Sequence, residues 1–193
     1  AAFGKDSVIV VKDALSGQPI SRWYKHWKPE QGDAPKVTGD LYDLLMTKVH
    51  KAVKGKTLAT VTLIWMQGES DARKDGKVYA ASLKGLLDQF RADLGRKDLN
   101  FVIGRISDYR DDKGFPHWTI VRKAQVAVVE ADPHGAWVNT DDLNDGKSTS
   151  GRMFNNDMHY TAEGYKQLGQ RFADTAIGLI EKKPNRPKAV EGK

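Results

Sequence analysis

The residue types able to do chemistry gather in two places. One is Gln67-Gly68-Glu69-Ser70-Asp71, directly after the apolar run 58–65, and the other is Asn155-Asn156-Asp157-Met158-His159-Tyr160, far downstream. His159 suits a general base, and Asp157, two residues earlier, could hold the other ring nitrogen and stabilise an imidazolium. Gln67 offers an amide N–H and Gly17 a backbone N–H, the two kinds of donor that stabilise an oxyanion. Plainer readings stand beside these: Asp157 as a turn carboxylate bonding its own backbone, and Gly17 as a turn glycine. Glu69 and Asp71 could also be the paired acids of glycoside hydrolysis, although two carboxylates at i and i+2 on one loop do not by themselves flank a bond. They could equally cap the next helix or orient other residues of the site. Asp141, Asp142 and Asp145 form an acidic loop without the regular alternation of oxygen ligands and glycine that calcium loops need, so no metal is expected. Trp23, Tyr24 and Trp27, with His26, make an aromatic loop suited to stacking on a sugar or to covering a core.

Those residues need a frame, and the apolar periodicity supplies one. Strands are expected at 7–11, 58–65, 101–106 and 136–139, where β-branched and other apolar residues run together. Helices are expected over Asp40–Val53, Gly76–Leu94 and Trp118–Glu130, each with an apolar face at helical spacing. Asp40 is read as the N-cap of the first and Gly95 as the stop of the second. Thr161 should cap a last helix whose apolar face is Tyr165, Leu168, Phe172, Ala176 and Leu179. Strands alternating with helices imply right-handed parallel crossovers and a sheet covered on both faces. In such sheets ligands bind at the carboxyl ends of the strands, where Gln67 stands. Residues 140–156 read as a polar loop, and residues 182–193, rich in lysine and proline, as a basic disordered tail after a single domain over 1–181.

Composition narrows the function classes. The chain has 193 residues and a net charge of +6, with 39% apolar and 29% charged residues, which suits one globular domain. Its basic residues form no stripe and no recognised nucleic-acid motif, so nucleic acid is not an expected partner. No run of about 18 apolar residues marks a membrane span, and no signal peptide is visible at Ala1. With no cysteine, thiolate catalysis and cysteine metal sites are excluded.

Taken together these blocks resemble the SGNH (GDSL-like) hydrolases, and within them the sialate O-acetylesterase and acetyl xylan esterase group, carbohydrate esterase family 6. Gln67-Gly68-Glu69-Ser70-Asp71 after an apolar strand is highly specific to that group. Residues 16–23, Ser-Gly-Gln-Pro-Ile-Ser-Arg-Trp, are similar to its Gly-Gly-x-x-Ile-x-x-Trp segment. Val121-Arg122-Lys123-Ala124-Gln125 is similar to its Val-Arg-x-x-Gln helix, and Asp157-Met158-His159-Tyr160-Thr161-Ala162-Glu163-Gly164 to its terminal Asp/His block. The resemblance implies a three-layer α/β/α sandwich of the flavodoxin-like kind, with a parallel central sheet. It also implies removal of O-acetyl groups from sugars by an acylated serine, without metal or cofactor. His159 would be the base, and Gly17 and Gln67 would line the oxyanion hole. Trp23, Arg105 and Asp71 are expected to bind the acetylated carbohydrate.

Two departures from the family pattern shape the expectation. The family's nucleophile lies in a Gly-Gln-Ser-Asn segment after its first strand, and this chain has no such segment. Ser16, Ser21, Ser70, Ser107 and Ser150 offer hydroxyls in the wrong context, so the serine and the first strand are expected upstream of Ala1. The usual Asp-x-x-His spacing would put the acid at position 156, which is Asn156, leaving Asp157 or Glu69 to orient His159. A sheet lacking that strand would expose an edge, through which two copies could pair. The rival readings are a non-catalytic carbohydrate-binding module on a retired esterase scaffold, and a glycosidase using Glu69 and Asp71. The substrate class slightly favours an extracellular or periplasmic setting.

Overall fold

The computed structural model describes residues 3–4, 7–109, 114–148 and 150–182. The expected basic tail lies, from residue 183 onward, outside the described residues. Three parallel strands form the central sheet, β1 (Thr62–Trp65), β2 (Asn100–Gly104) and β3 (Gly135–Val138), in that spatial order. Thr62 pairs with Asn100 and Trp65 with Ile103, while Phe101 pairs with Gly135 and Gly104 with Val138. Four helices connect and cover them: α1 (Asp40–Val53), α2 (Gly76–Leu94), α3 (Trp118–Glu130) and α4 (Ala162–Ile180). This is the α/β/α sandwich that the alternation of strands and helices implies.

The sheet's two faces follow from the period of two along β2. Phe101 and Ile103 point into the larger cluster, with Trp65 from β1, Leu83, Leu86, Leu87 and Phe90 from α2, and Trp118 and Val121 from α3. Val102 and Val138 point the other way, onto Leu168 and Phe172 of α4. Ile64 is the register partner of Val102 and shares its face, yet it is 45% exposed. The outer edge of β1 carries no partner strand among the described residues.

Three expectations about elements need correction. Residues 7–11 form no strand, and Val8, Ile9 and Val10 are exposed, because β-branched propensity cannot stand in for a missing pairing partner. Asp40 is not the cap of α1. Gly39, in the left-handed region at φ 73°, precedes the helix, and the Asp40 carboxylate takes the Arg22 guanidinium at 2.6 and 2.5 Å instead. The polar loop 140–156 contains a short antiparallel hairpin, β4 (Gly146–Lys147) with β5 (Met153–Phe154). Thr161 does cap α4, its hydroxyl accepting the Gly164 N–H at 3.0 Å. Among the described residues no helix is long and apolar enough to cross a membrane.

Candidate active site

The carboxyl ends of the three strands and the start of α4 converge on one side of the sheet. Leaving β1, the chain passes through Met66 and Gln67 and is pressed against α3 at Gly68, whose φ is 147°. A Cβ there would stand 2.8 Å from Val121 Cγ1 and 3.1 Å from Gln125 Nε2, so only glycine permits this approach. Two buried side chains hold the Gln67 main chain: its carbonyl accepts the Tyr79 hydroxyl at 2.9 Å and the Gln125 amide at 2.8 Å. Gln125 closes the connection to β2 by accepting the Ile106 N–H at 3.0 Å.

The Gln67 side chain is fixed as firmly. Its amide nitrogen donates to the Gln18 carbonyl at 3.0 Å and to Asp71 Oδ2 at 2.5 Å, while its oxygen lies 3.1 Å from the Tyr79 hydroxyl. A carbonyl and a carboxylate only accept, so the orientation of this amide follows from chemistry. Both amide hydrogens are thereby engaged inside the protein. The expected free oxyanion donor is, in this arrangement, a brace against residues 17–20. Gly17, at φ 70°, stands exposed beside it, and no hydrogen bond among the described residues uses its N–H. The Gln67 amide is thus set against the residue that follows Gly17.

Asp71 is 1% exposed, its Oδ2 also accepts the Ile20 N–H at 3.0 Å, and its Oδ1 is buried without a partner. Burial outweighs those donated bonds and pushes its carboxyl up to about 6. A carboxylate so enclosed cannot touch a substrate, which corrects the expected substrate-binding role and removes Asp71 from any glycosidase pair. Burial raises Glu69 as well, opposed by the backbone N–H groups of Glu69 and Gly68 and by the charge of His159.

His159 lies in the loop before α4, near enough to Glu69 for its charge to act on that carboxyl, with its side chain 67% exposed. Asp157 Oδ1 accepts the His159 backbone N–H at 2.9 Å and lies 3.5 Å from the ring Nδ1, and Arg152 holds Oδ2 at 2.7 Å. Asp157 is therefore the acid beside the imidazole, and Nε2 is left without a partner among the described residues. Asn156, where the family pattern would put the acid, sits at φ 46° with its N–H on Asp145 Oδ1 at 2.7 Å. Asparagine tolerates that left-handed conformation better than most residues. The Asp157 carbonyl accepts from Ser107 Oγ at 3.2 Å and Asn144 Nδ2 at 3.0 Å, joining this loop to the end of β2.

The other expected residues fall elsewhere. Trp23 is 6% exposed and packs edge-on against Trp65 at 5.5 Å, and Trp27 is buried in the same cluster, so these indoles form core and no sugar platform. Arg105 stacks over Trp137 and donates to Asn139 at 2.8 Å and Asp141 at 2.5 Å. Arg122 takes the same carboxylate at 2.8 and 3.0 Å. The guanidinium of Arg105 is thus held in a strand-end ion cluster. Ser107 and Ser21 are buried and Ser70 is half-buried, while Ser16 and Ser150 are exposed. Among the described residues no serine hydroxyl bonds to the His159 ring. Sequence reasoning missed Tyr79, whose signal was a hydroxyl set among the buried leucines of α2.

The family model for carbohydrate esterase, sialic acid-specific acetylesterase, matches residues 2–178. The chain belongs to that family. The fold has a solved counterpart in a protein from Arabidopsis thaliana, with a TM-score of 0.61 and 21% identity. The likeness covers 84% of this chain and 56% of that protein, so the chain spans little more than half of its length. Comparison with curated protein sequences returned no match.

Proposed function

We propose that this carbohydrate esterase chain supplies the base and the oxyanion wall of an O-acetylesterase acting on acetylated sugars, of the acetyl xylan or sialate type. The observation that carries the reading is the Asp157 carboxylate 3.5 Å from Nδ1 of an exposed His159 whose charge acts on Glu69, two residues from the Gln67 that braces the turn bearing Gly17. Asp157, 3.5 Å from Nδ1, fixes the tautomer that leaves Nε2 free to accept a proton. A serine hydroxyl from a segment outside this chain gives its proton to Nε2 and attacks the acetyl carbonyl. The Gly17 N–H faces the oxygen that becomes negative, and Gln67 braces the turn bearing it. Collapse of the tetrahedral adduct releases the sugar hydroxyl, protonated by His159, and water then frees acetate by the reverse proton path.

The open edge of β1, beside the exposed Ile64, supports entry of that segment as an added strand. The test is acetate release from an acetylated xylo-oligosaccharide and from an O-acetylated sialoside, using the protein with its serine segment. His159→Ala is expected to lower the rate roughly 10²- to 10⁴-fold. Acetate release untouched by that substitution would overturn the reading.

A further inference from the structure

A buried carboxylate with no route to substrate calls for another role, and its partners indicate which. Oδ2 of Asp71 is shared by two donors from distant parts of the chain, the Ile20 backbone N–H at 3.0 Å and the Gln67 amide at 2.5 Å. Ile20 is the first residue of the 3-10 turn Ile20–Arg22 and lies three residues after Gly17. Gln67 reaches the same segment from the other side, through the Gln18 carbonyl at 3.0 Å. We propose that Asp71 is a positioning residue: one carboxylate oxygen ties the backbone of the Gly17-bearing turn to Gln67 and so sets the geometry of the oxyanion wall.

Three features make this geometry specific. Asp71 opens the 3-10 turn Asp71–Arg73, and the Asp75 N–H bonds its carbonyl at 2.9 Å, so its main chain is locked next to the β1 exit. Tyr79 holds both the carbonyl and the side-chain oxygen of Gln67, which keeps the amide nitrogen turned toward Asp71. Ile20, Tyr79 and Asp71 are all essentially excluded from solvent, so water cannot replace a lost partner. Asp75 is the charged group that faces Asp71, and Tyr79 is the other titratable one. Asparagine at this place would put an NH₂ either at the unpartnered Oδ1 position or against the two donors, leaving a polar group stranded in both cases.

The inference rests on the esterase reading for its catalytic consequence but not for its geometry, and the test separates the two. In this chain, NMR follows the Asp71 carboxyl, the Ile20 amide and the Gln67 side-chain amide across pH 4 to 8. A shared midpoint is expected for all three, and Asp71→Asn should abolish the movement of the two amides. Independent midpoints, or amides that stay still, would overturn the proposal whatever the protein's activity. In the protein with its serine segment, Asp71→Asn should lower kcat, per site titrated with a serine-reactive phosphonate, by roughly 10- to 100-fold with KM little changed. It should weaken an acyl-site boronate, which places an anionic oxygen in the hole, and leave affinity for the neutral deacetylated sugar intact. A merely structural role would not separate those two ligands, and equal effects on both would also overturn the proposal. His159→Ala, run in parallel, reports on the esterase reading alone.

Discussion

The two walls of the candidate site are built in opposite ways. On the β1 side, Gln67 has its carbonyl, side-chain oxygen and amide nitrogen all bonded to buried partners, and Gly68 is pressed onto α3. On the α4 side, the His159 ring is 67% exposed, with Asp157 beside its Nδ1 and Nε2 open. The first wall carries hydrogen-bonding atoms whose positions are over-determined. The second carries an exposed base held by its main chain and by one carboxylate. Charge that develops during a reaction is best met by donors that need no reorganisation, whereas a base must exchange protons and tolerates exposure.

Substitutions can break the contrast, and the largest effect should come from the loose wall. His159→Ala should abolish nearly all acetate release while changing stability by less than about 0.5 kcal/mol, since the side chain is largely exposed. Equilibrium urea unfolding beside the activity assay checks the pair of outcomes. The rigid wall should behave the other way round. Gly68→Ala forces a Cβ to 2.8 Å from Val121 Cγ1, and should cost about 1–3 kcal/mol by overpacking before backbone strain is added. A lowered urea midpoint with an unchanged m-value is the expected signature.

Acidity gives a third and comparable effect. Asp71 titrates near 6 in the folded chain and at about 4 when unfolded. Between those values the folded state holds the proton and the unfolded state does not, so stability falls as pH rises from about 4 to 6, then levels off. The two-unit gap corresponds to about 3 kcal/mol. Asp71→Asn should flatten this stretch of the stability curve, and a curve parallel to that of the parent chain would contradict it. Burial raises Glu69 in the same direction, so some slope should survive in the variant.

The smallest effect tests the sheet. The face under α2 and α3 is closed, with Trp65, Phe101 and Ile103 buried, whereas Ile64 on the other face is open beside an edge that is unpaired among the described residues. Self-association through that edge should appear in sedimentation velocity at high concentration. Ile64→Lys should reduce it at a cost within about 0.5 kcal/mol, as a charge on an edge strand opposes pairing. A monomer at every concentration would remove the edge as a pairing surface.

How far the sequence could be read depended on whether a signal was local. Helices α1, α2 and α3 stand over the residues where a repeating apolar face set them, and the Thr161 cap is local as well. The β-branched residues 7–11 misled because a strand exists only through its neighbour, and propensity cannot show whether one is there. Trp23 and Trp27 misled for a related reason: an indole next to charges reads as a binding surface until packing places it under Trp65. In the site, the resemblance singled out residues 17–20, Gln67 and His159, and the Gln67 amide bonds the Gln18 carbonyl. The burial of Asp71 and the Tyr79 hydroxyl beneath Gln67 were not. They depend on contacts across 51 and 12 residues that no periodicity records.

Gly164, in the first turn of α4, has a further consequence. A Cβ there would lie 2.4 Å from the Leu143 carbonyl oxygen, so the helix start is wedged against the loop that follows β3. With Thr161 holding the Gly164 N–H, the main chain leaving His159 enters α4 along a fixed line. The imidazole can then search only by turning about its own two side-chain bonds, a motion of nanoseconds rather than of a loop closing. Proton transfer at such a ring would be gated by rotation of one side chain.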